Sequence, residues 1–153
     1  MKAPSQIKAQ AGSALLEALF AILIFSIGIL ALVALQAVSV KSSIDAKYRS
    51  DASYLTSQII AQMWLDRSNI DGYAHYPSGP VCAFTGSPST YANVISWLSQ
   101  TGSLLPGAVP STSQIHISTA VTGTKIVKVT VCWQGPQDSG AHNFVATAQI
   151  NPP

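Results

Sequence analysis

Charged side chains are scarce in this chain: Asp, Glu, Lys and Arg make up 9% of its 153 residues, and Glu17 is the only glutamate. Eight basic residues against six acidic ones imply no nucleic-acid-binding face. Lys2 and Lys8 supply the whole excess, so from Ser13 onward the two signs balance. Cysteine is limited to Cys82 and Cys132, and neither belongs to a C-x-x-C pair. His75, His116 and His142 are the remaining soft metal ligands, and no H-x-x-x-H or C-x-x-C spacing groups them into a zinc site. They read as surface or loop histidines. No glycine-rich phosphate loop, G-x-S-x-G elbow or H-E-x-x-H is present, and the scattered serines have no identifiable base. The chain is therefore expected to be no enzyme and to hold no metal or cofactor.

Apolar residues, at 48%, are abundant and unevenly spread. Ala18 to Leu35 carries no charge, and only Ser26 and Gly28 interrupt it. A run of that length crosses a bilayer core as a helix. Its orientation is close to a tie by charge, because Lys2 and Lys8 before it are matched by Lys41, Lys47 and Arg49 after it. The even, widely spaced cysteine pair favours a disulfide and an oxidising compartment for the part after the span; two unrelated buried thiols are the alternative. A bridge between them closes a loop of about 50 residues, which the chain-entropy model values at roughly 4 kcal/mol.

Met1 to Gly12 is polar, basic and free of acidic residues, and reads as a leader. From Ala14 to about Arg67 there is no proline, and Gly28 is the only glycine, which permits one long helix. Its first half is apolar all round. Its second half places Ile44, Tyr48, Ala52, Leu55, Ile59 and Met63 on one face, with Ser42, Asp45, Lys47, Ser50 and Ser57 among the polar positions elsewhere. Asn69 to Thr90 is rich in glycine and proline and reads as an ordered loop packed on that helix. Ser89 or Thr90 is placed to cap a short helix from Tyr91 to Leu98. After Gly102 to Pro110 the period changes to two. Three strands follow, around Ile115–Val121, Val127–Trp133 and Phe144–Ile150, and form an antiparallel meander whose greasy side matches the amphipathic helix. Tyr73, Tyr76 and Trp97 read as core aromatics, with a partner-binding surface as the alternative.

Glu17 stands inside the apolar stretch, where an unpaired carboxylate is costly. Read alone, it is equally well an interfacial carboxylate that reaches the headgroups and favours the helix N-terminus. Its neighbourhood, Gly12-Ser13-Ala14-Leu15-Leu16-Glu17-Ala18-Leu19, resembles the type IV prepilin processing site, in which a glycine ends a short basic leader and a glutamate stands fifth in the mature chain. Ser26 to Gln36 is similar to the PilV group of minor pilins, and Lys128 to Trp133 resembles a late strand of that group. The resemblance is concentrated in Gly12 to Gln36.

That resemblance implies an α+β, pilin-like fold in three parts: a leader over 1–12, a transmembrane and filament-core helix over 13–38, and a periplasmic head over 39–153. It implies cleavage between Gly12 and Ser13 by prepilin peptidase and pairing of Glu17 with the freed amine of Ser13. The family usually has phenylalanine as the first mature residue, N-methylated, where this chain has Ser13. Implied partners are other major and minor pilins through the N-terminal helix, the inner-membrane assembly platform and the membrane itself. Anchoring in the inner membrane would come before entry into the pilus filament. A type II secretion pseudopilin would share the leader and helix. A single-pass signal-anchored periplasmic protein is the third reading, and it leaves Gly12 and Glu17 without a joint purpose.

Overall fold

The computed structural model describes residues 11–121 and 123–151. The element order is α1 (Ala11–Leu65), a 3-10 turn over Arg67–Tyr73, α2 (Ala92–Leu104), β1 (Ser113–Thr119), β2 (Lys125–Trp133) and β3 (His142–Ile150). Two compact units divide between Ile44 and Asp45, within α1. Residues 1–10 of the expected leader lie outside the described residues.

In the first unit the side chains from Ser13 to Ile44 are all exposed. The second unit is an α+β head in which the C-terminal part of α1 packs on a three-stranded antiparallel sheet of order β1-β2-β3. Ala52, Leu55, Ile59 and Met63 are fully buried, and Tyr48 packs at the margin. Ile44, expected on the same face, is 43% exposed because it precedes the head. From the sheet, Ile115, Val127, Val129, Val131 and Ile150 meet these residues. They all lie on one face, since the register sets Ile115 opposite Val129 and Val129 opposite Ala146.

α2 closes the core. Trp97 is 2% exposed, and its indole N–H donates to the Leu55 carbonyl at 2.9 Å, which gives a buried polar group its partner. The helix runs to Leu104, beyond the expected end at Leu98 and through Gly102. Burial of Thr101 and Leu105 outweighs the helix penalty of one glycine, roughly 1 kcal/mol. The residue at its N-cap is Tyr91, with no side-chain cap. Ser89 instead accepts the Tyr91 N–H at 3.2 Å and donates to the Gly72 carbonyl at 2.7 Å.

β1 begins and ends two residues earlier than the alternation suggests. A tight turn fixes its end: Ala120 N–H donates to Thr124 O at 2.8 Å and Gly123, at φ +83°, donates to Ala120 O. Val121, counted above in the apolar face, sits fully exposed at the tip of this hairpin. The β2–β3 connection is organised by Asp138, whose Oδ2 accepts the Gly135 N–H at 3.0 Å and lies 3.2 Å from His142 Nε2. A Cβ at residue 135 would come within 2.6 Å of that oxygen, so a side chain there would push the Asp138 carboxylate aside.

The turn-rich segment divides in two. Ile70 and Tyr73 enter the core with the helix, as expected of the whole loop. The rest is laid along the sheet. His75 forms a two-bond bridge with Ile115 (3.0 and 2.9 Å), Gln114 Nε2 donates to Tyr76 O, and Phe84 N–H donates to Ser111 O. Cys82 and Cys132 are brought to disulfide-bonding distance, with Cα atoms 5.5 Å apart. The expectation of surface histidines fails at His75, which is 1% exposed. Its Nδ1 accepts the Ser89 N–H at 3.1 Å, so Nε2 carries the proton and donates to the Pro110 carbonyl at 3.0 Å.

Burial holds the His75 pKa below the ordinary histidine value, against a smaller upward pull from the Pro110 carbonyl. The unfolded chain therefore binds a proton below about pH 6.5 that the native state resists, and stability falls as pH drops through that range, by at most about 1.4 kcal/mol per unit. At the alkaline end, Tyr91 donates to Asp66 Oδ2, and this bond, helped by burial, pushes its pKa up to about 12. Unfolded tyrosine loses its proton near pH 10, so stability declines again above that value. We predict a thermal-midpoint plateau between about pH 7 and 9 with a decline on each side. His75→Gln should flatten the acid limb and Tyr91→Phe the alkaline limb, and unchanged limbs in both variants would contradict the assignment.

The sulfurs are 50 residues apart in sequence. Reduction should lower the midpoint clearly, since the chain-entropy value of roughly 4 kcal/mol is a large share of a small domain's stability. Quantitative alkylation of both thiols in the folded, unreduced protein would rule the bridge out.

Candidate anchoring and assembly helix

α1 carries the residues singled out in the sequence at its beginning. The Gly12–Ser13 peptide lies in its first turn, and Glu17 follows one turn later. Positions four apart share a helix face, so Ser13 and Glu17 lie one above the other on one side. Both are exposed. A free amine at Ser13 would stand at the helix N-terminus within one turn of the Glu17 carboxylate. Gly12, Ser13 and Glu17 belong to one compact unit, and Cys82 and Cys132 to the other.

Apart from Ser13, the surroundings of Glu17 are apolar. Leu15, Leu16, Leu19, Phe20 and Leu23 are between 49% and 75% exposed, and the exposure continues through Val40. The best 18-residue window of this helix has a mean hydropathy of 2.9, and none of it is buried. A helix that is apolar all round belongs in lipid or inside a bundle of other helices. By length and composition it can cross a membrane. Ser26, the polar interruption, is satisfied within the helix, its hydroxyl donating to Ile22 O at 2.7 Å. Gly28 has open space where a Cβ would stand, so closely packed neighbours of this chain do not explain it.

Two polar arrangements in the head escaped the sequence reading. One is the His75 staple, which joins the turn-rich segment, Ser89 and Pro110. It borders a cleft of about 440 Å³ lined by uncharged residues, among them Ile95, Leu98, Gly102 and Val109. Both ring nitrogens of His75 are engaged with backbone, which leaves neither available as a base. The other is centred on Asp66, at the end of α1. Its carboxylate accepts from Tyr91, from Asn69 at 2.7 Å and from Tyr73 at 3.3 Å, and the Tyr73 oxygen in turn accepts from Asn93 at 2.8 Å. Chiefly the Tyr91 hydroxyl holds the Asp66 carboxyl below its usual value. No spacing rule announces either group, because their members come from distant segments. Among the described residues no cluster of three or more His, Cys, Asp or Glu side chains is placed to hold a metal ion.

No family model, curated protein or solved structure matches the chain.

Proposed function

We propose that this chain is a minor pilin of a type IV pilus. It is made as a precursor, cut between Gly12 and Ser13 by prepilin peptidase, and drawn through its N-terminal helix into a filament of major and minor pilins. The observation that carries this reading is the position of Glu17. The only glutamate of the protein stands fifth from Ser13, in an unbroken run of exposed side chains that reaches Ile44.

The chemistry runs as follows. Before cleavage the helix anchors the chain in the inner membrane, with the head in the periplasm, where the cysteine pair can oxidise. Cleavage releases an amine at Ser13, which is also the proposed site of N-methylation. That cation meets the Glu17 carboxylate of its own helix or of a neighbouring pilin as the assembly platform lifts the subunit out of lipid. Among packed apolar helices a lone carboxylate carries an uncompensated desolvation cost that pairing largely removes. A single event thus makes the residue tolerable in the bundle.

Two variants test this reading in cells that carry the rest of the pilus machinery. Gly12→Val should leave a precursor about 12 residues longer, because the added side chain crowds the scissile bond; a mature Ser13 N-terminus in that variant would refute the cleavage site. Glu17→Gln should keep the anchor, the cleavage and the folded head, yet lose most of its recovery in sheared pili, since an unpaired amine is left in the bundle. Wild-type recovery of Glu17→Gln would reduce the carboxylate to an interfacial charge.

A further inference from the structure

Among the described residues, Tyr76 (φ +41°) and Cys82 (φ +66°) are the only non-glycine residues with a left-handed backbone. Side chains adopt that region at a cost, and it persists only where the surroundings hold the chain to it; such positions cluster at switches. Both lie in one stretch, residues 76–87, together with Gly79 and Gly86 at φ +94° and +112°. The stretch is closed on itself. Tyr76 N–H donates to Ser87 O at 3.1 Å and joins its ends, and Ser78 and Thr85 exchange both backbone bonds at 3.1 and 2.8 Å. Just outside, the ends are pinned, His75 to Ile115 and Ser89 N–H to His75 Nδ1.

Little of this loop is buried. Phe84 is 6% exposed and lies outside the main core, while the other side chains are exposed or half-buried. Two hydrogen bonds tie the loop to β1 and its approach: Phe84 N–H to Ser111 O at 3.1 Å and Gln114 Nε2 to Tyr76 O at 3.0 Å. The covalent tie runs from Cys82 to Cys132. Alternation along the strands puts Gln114, Thr130 and Cys132 on the sheet face away from α1, yet they are only 8%, 2% and 1% exposed.

We infer that residues 76–87 are a strap, latched over this outer face by the Cys82–Cys132 bridge and released by a thiol reductant. The inference rests on that bridge and not on the pilin reading. In release, a reductant thiolate attacks the sulfur of the half-buried Cys82; the S–S bond breaks, and Cys132 leaves as a thiolate that takes up a proton. A second reductant thiolate attacks the reductant sulfur of this mixed disulfide, and Cys82 leaves and takes up a proton in turn. Two electrons and two protons have then passed to the bridge, and the reductant has become a disulfide. Without the latch, the costly backbone at Tyr76 and Cys82 is opposed by two hydrogen bonds and the burial of Phe84. The strap swings out between its pinned ends and opens Gln114, Thr130 and Cys132 to water. β2 stays in place, because β1 and β3 hold it on both sides. An oxidant disulfide reverses the step.

The test is hydrogen exchange, read by mass spectrometry on the full-length chain in detergent before and after treatment with dithiothreitol. Away from the sheet so short a loop is not stable, so its amides report release. Reduction should speed exchange across 76–87 by about tenfold or more, at labelling times at which β2 and residues 52–63 are still protected. The double variant Cys82→Ser, Cys132→Ser should show the fast strap without reductant, and reoxidised wild type should regain the slow one. If the double variant does not fold, the reduced wild type decides alone. Unchanged exchange across 76–87 would overturn the inference, since the remaining ties would then suffice. Labelling of the strap and β2 together in the reduced protein would overturn it too, since the head would then open as one unit. Free thiols in the unreduced protein would remove the latch itself.

Discussion

From Ser13 to Ile44 no side chain of α1 is covered by the rest of the chain, and nearly all of those up to Val40 are apolar. Exposed hydrocarbon is worth about 25 cal/mol per Å² when removed from water, so tens of such side chains cannot stay in an aqueous phase. Everything else about the chain is compatible with that demand. The head folds on residues from Asp45 onward and takes only the later part of α1 into its core. The apolar part is left for lipid or for other helices.

The head secures its independence with local closures. Asp66 at the end of α1 collects hydroxyl and amide donors from Asn69, Tyr73 and Tyr91, which ties the helix end to the approach to α2. His75 fastens the turn-rich segment to β1 and to Pro110. Cys82 fastens the same segment to β2 at Cys132. The contacts of Asp66 with Tyr91, of His75 with Pro110 and of Cys82 with Cys132 join parts 25, 35 and 50 residues apart, where loop-closure entropy would otherwise oppose folding. The same segment bridges the β1 edge at Ile115.

Much of the architecture was legible in the residues because periodicity reports burial directly. The steps Ala52, Leu55, Ile59, Met63 named the buried face of α1, and the alternation of Val127, Val129 and Val131 named the inner face of β2. Ends were less legible. Gly102 looks like a helix stop and is overridden by the burial of Thr101 and Leu105, while Val121 looks like a strand residue and is carried away by the Ala120–Thr124 turn. His75 was misplaced for a different reason, since nothing in its neighbours reveals two backbone partners 14 and 35 residues away. For the candidate site, the sequence supplied the pattern of Gly12, Ser13 and Glu17. The fold adds that Ser13 and Glu17 lie one turn apart at the start of the apolar half of α1.

Under the function proposed above, the early part of α1 exchanges lipid for packed helices when the protein assembles. The most direct measurement is the collision rate of a nitroxide attached at residue 24, where Ile24 is 68% exposed, with dissolved oxygen and with a water-soluble nickel complex. In membranes the label should meet oxygen and not nickel. In sheared filaments it should meet neither, because neighbouring helices cover it. Ready collision with nickel in either state would place this segment in water and contradict the account.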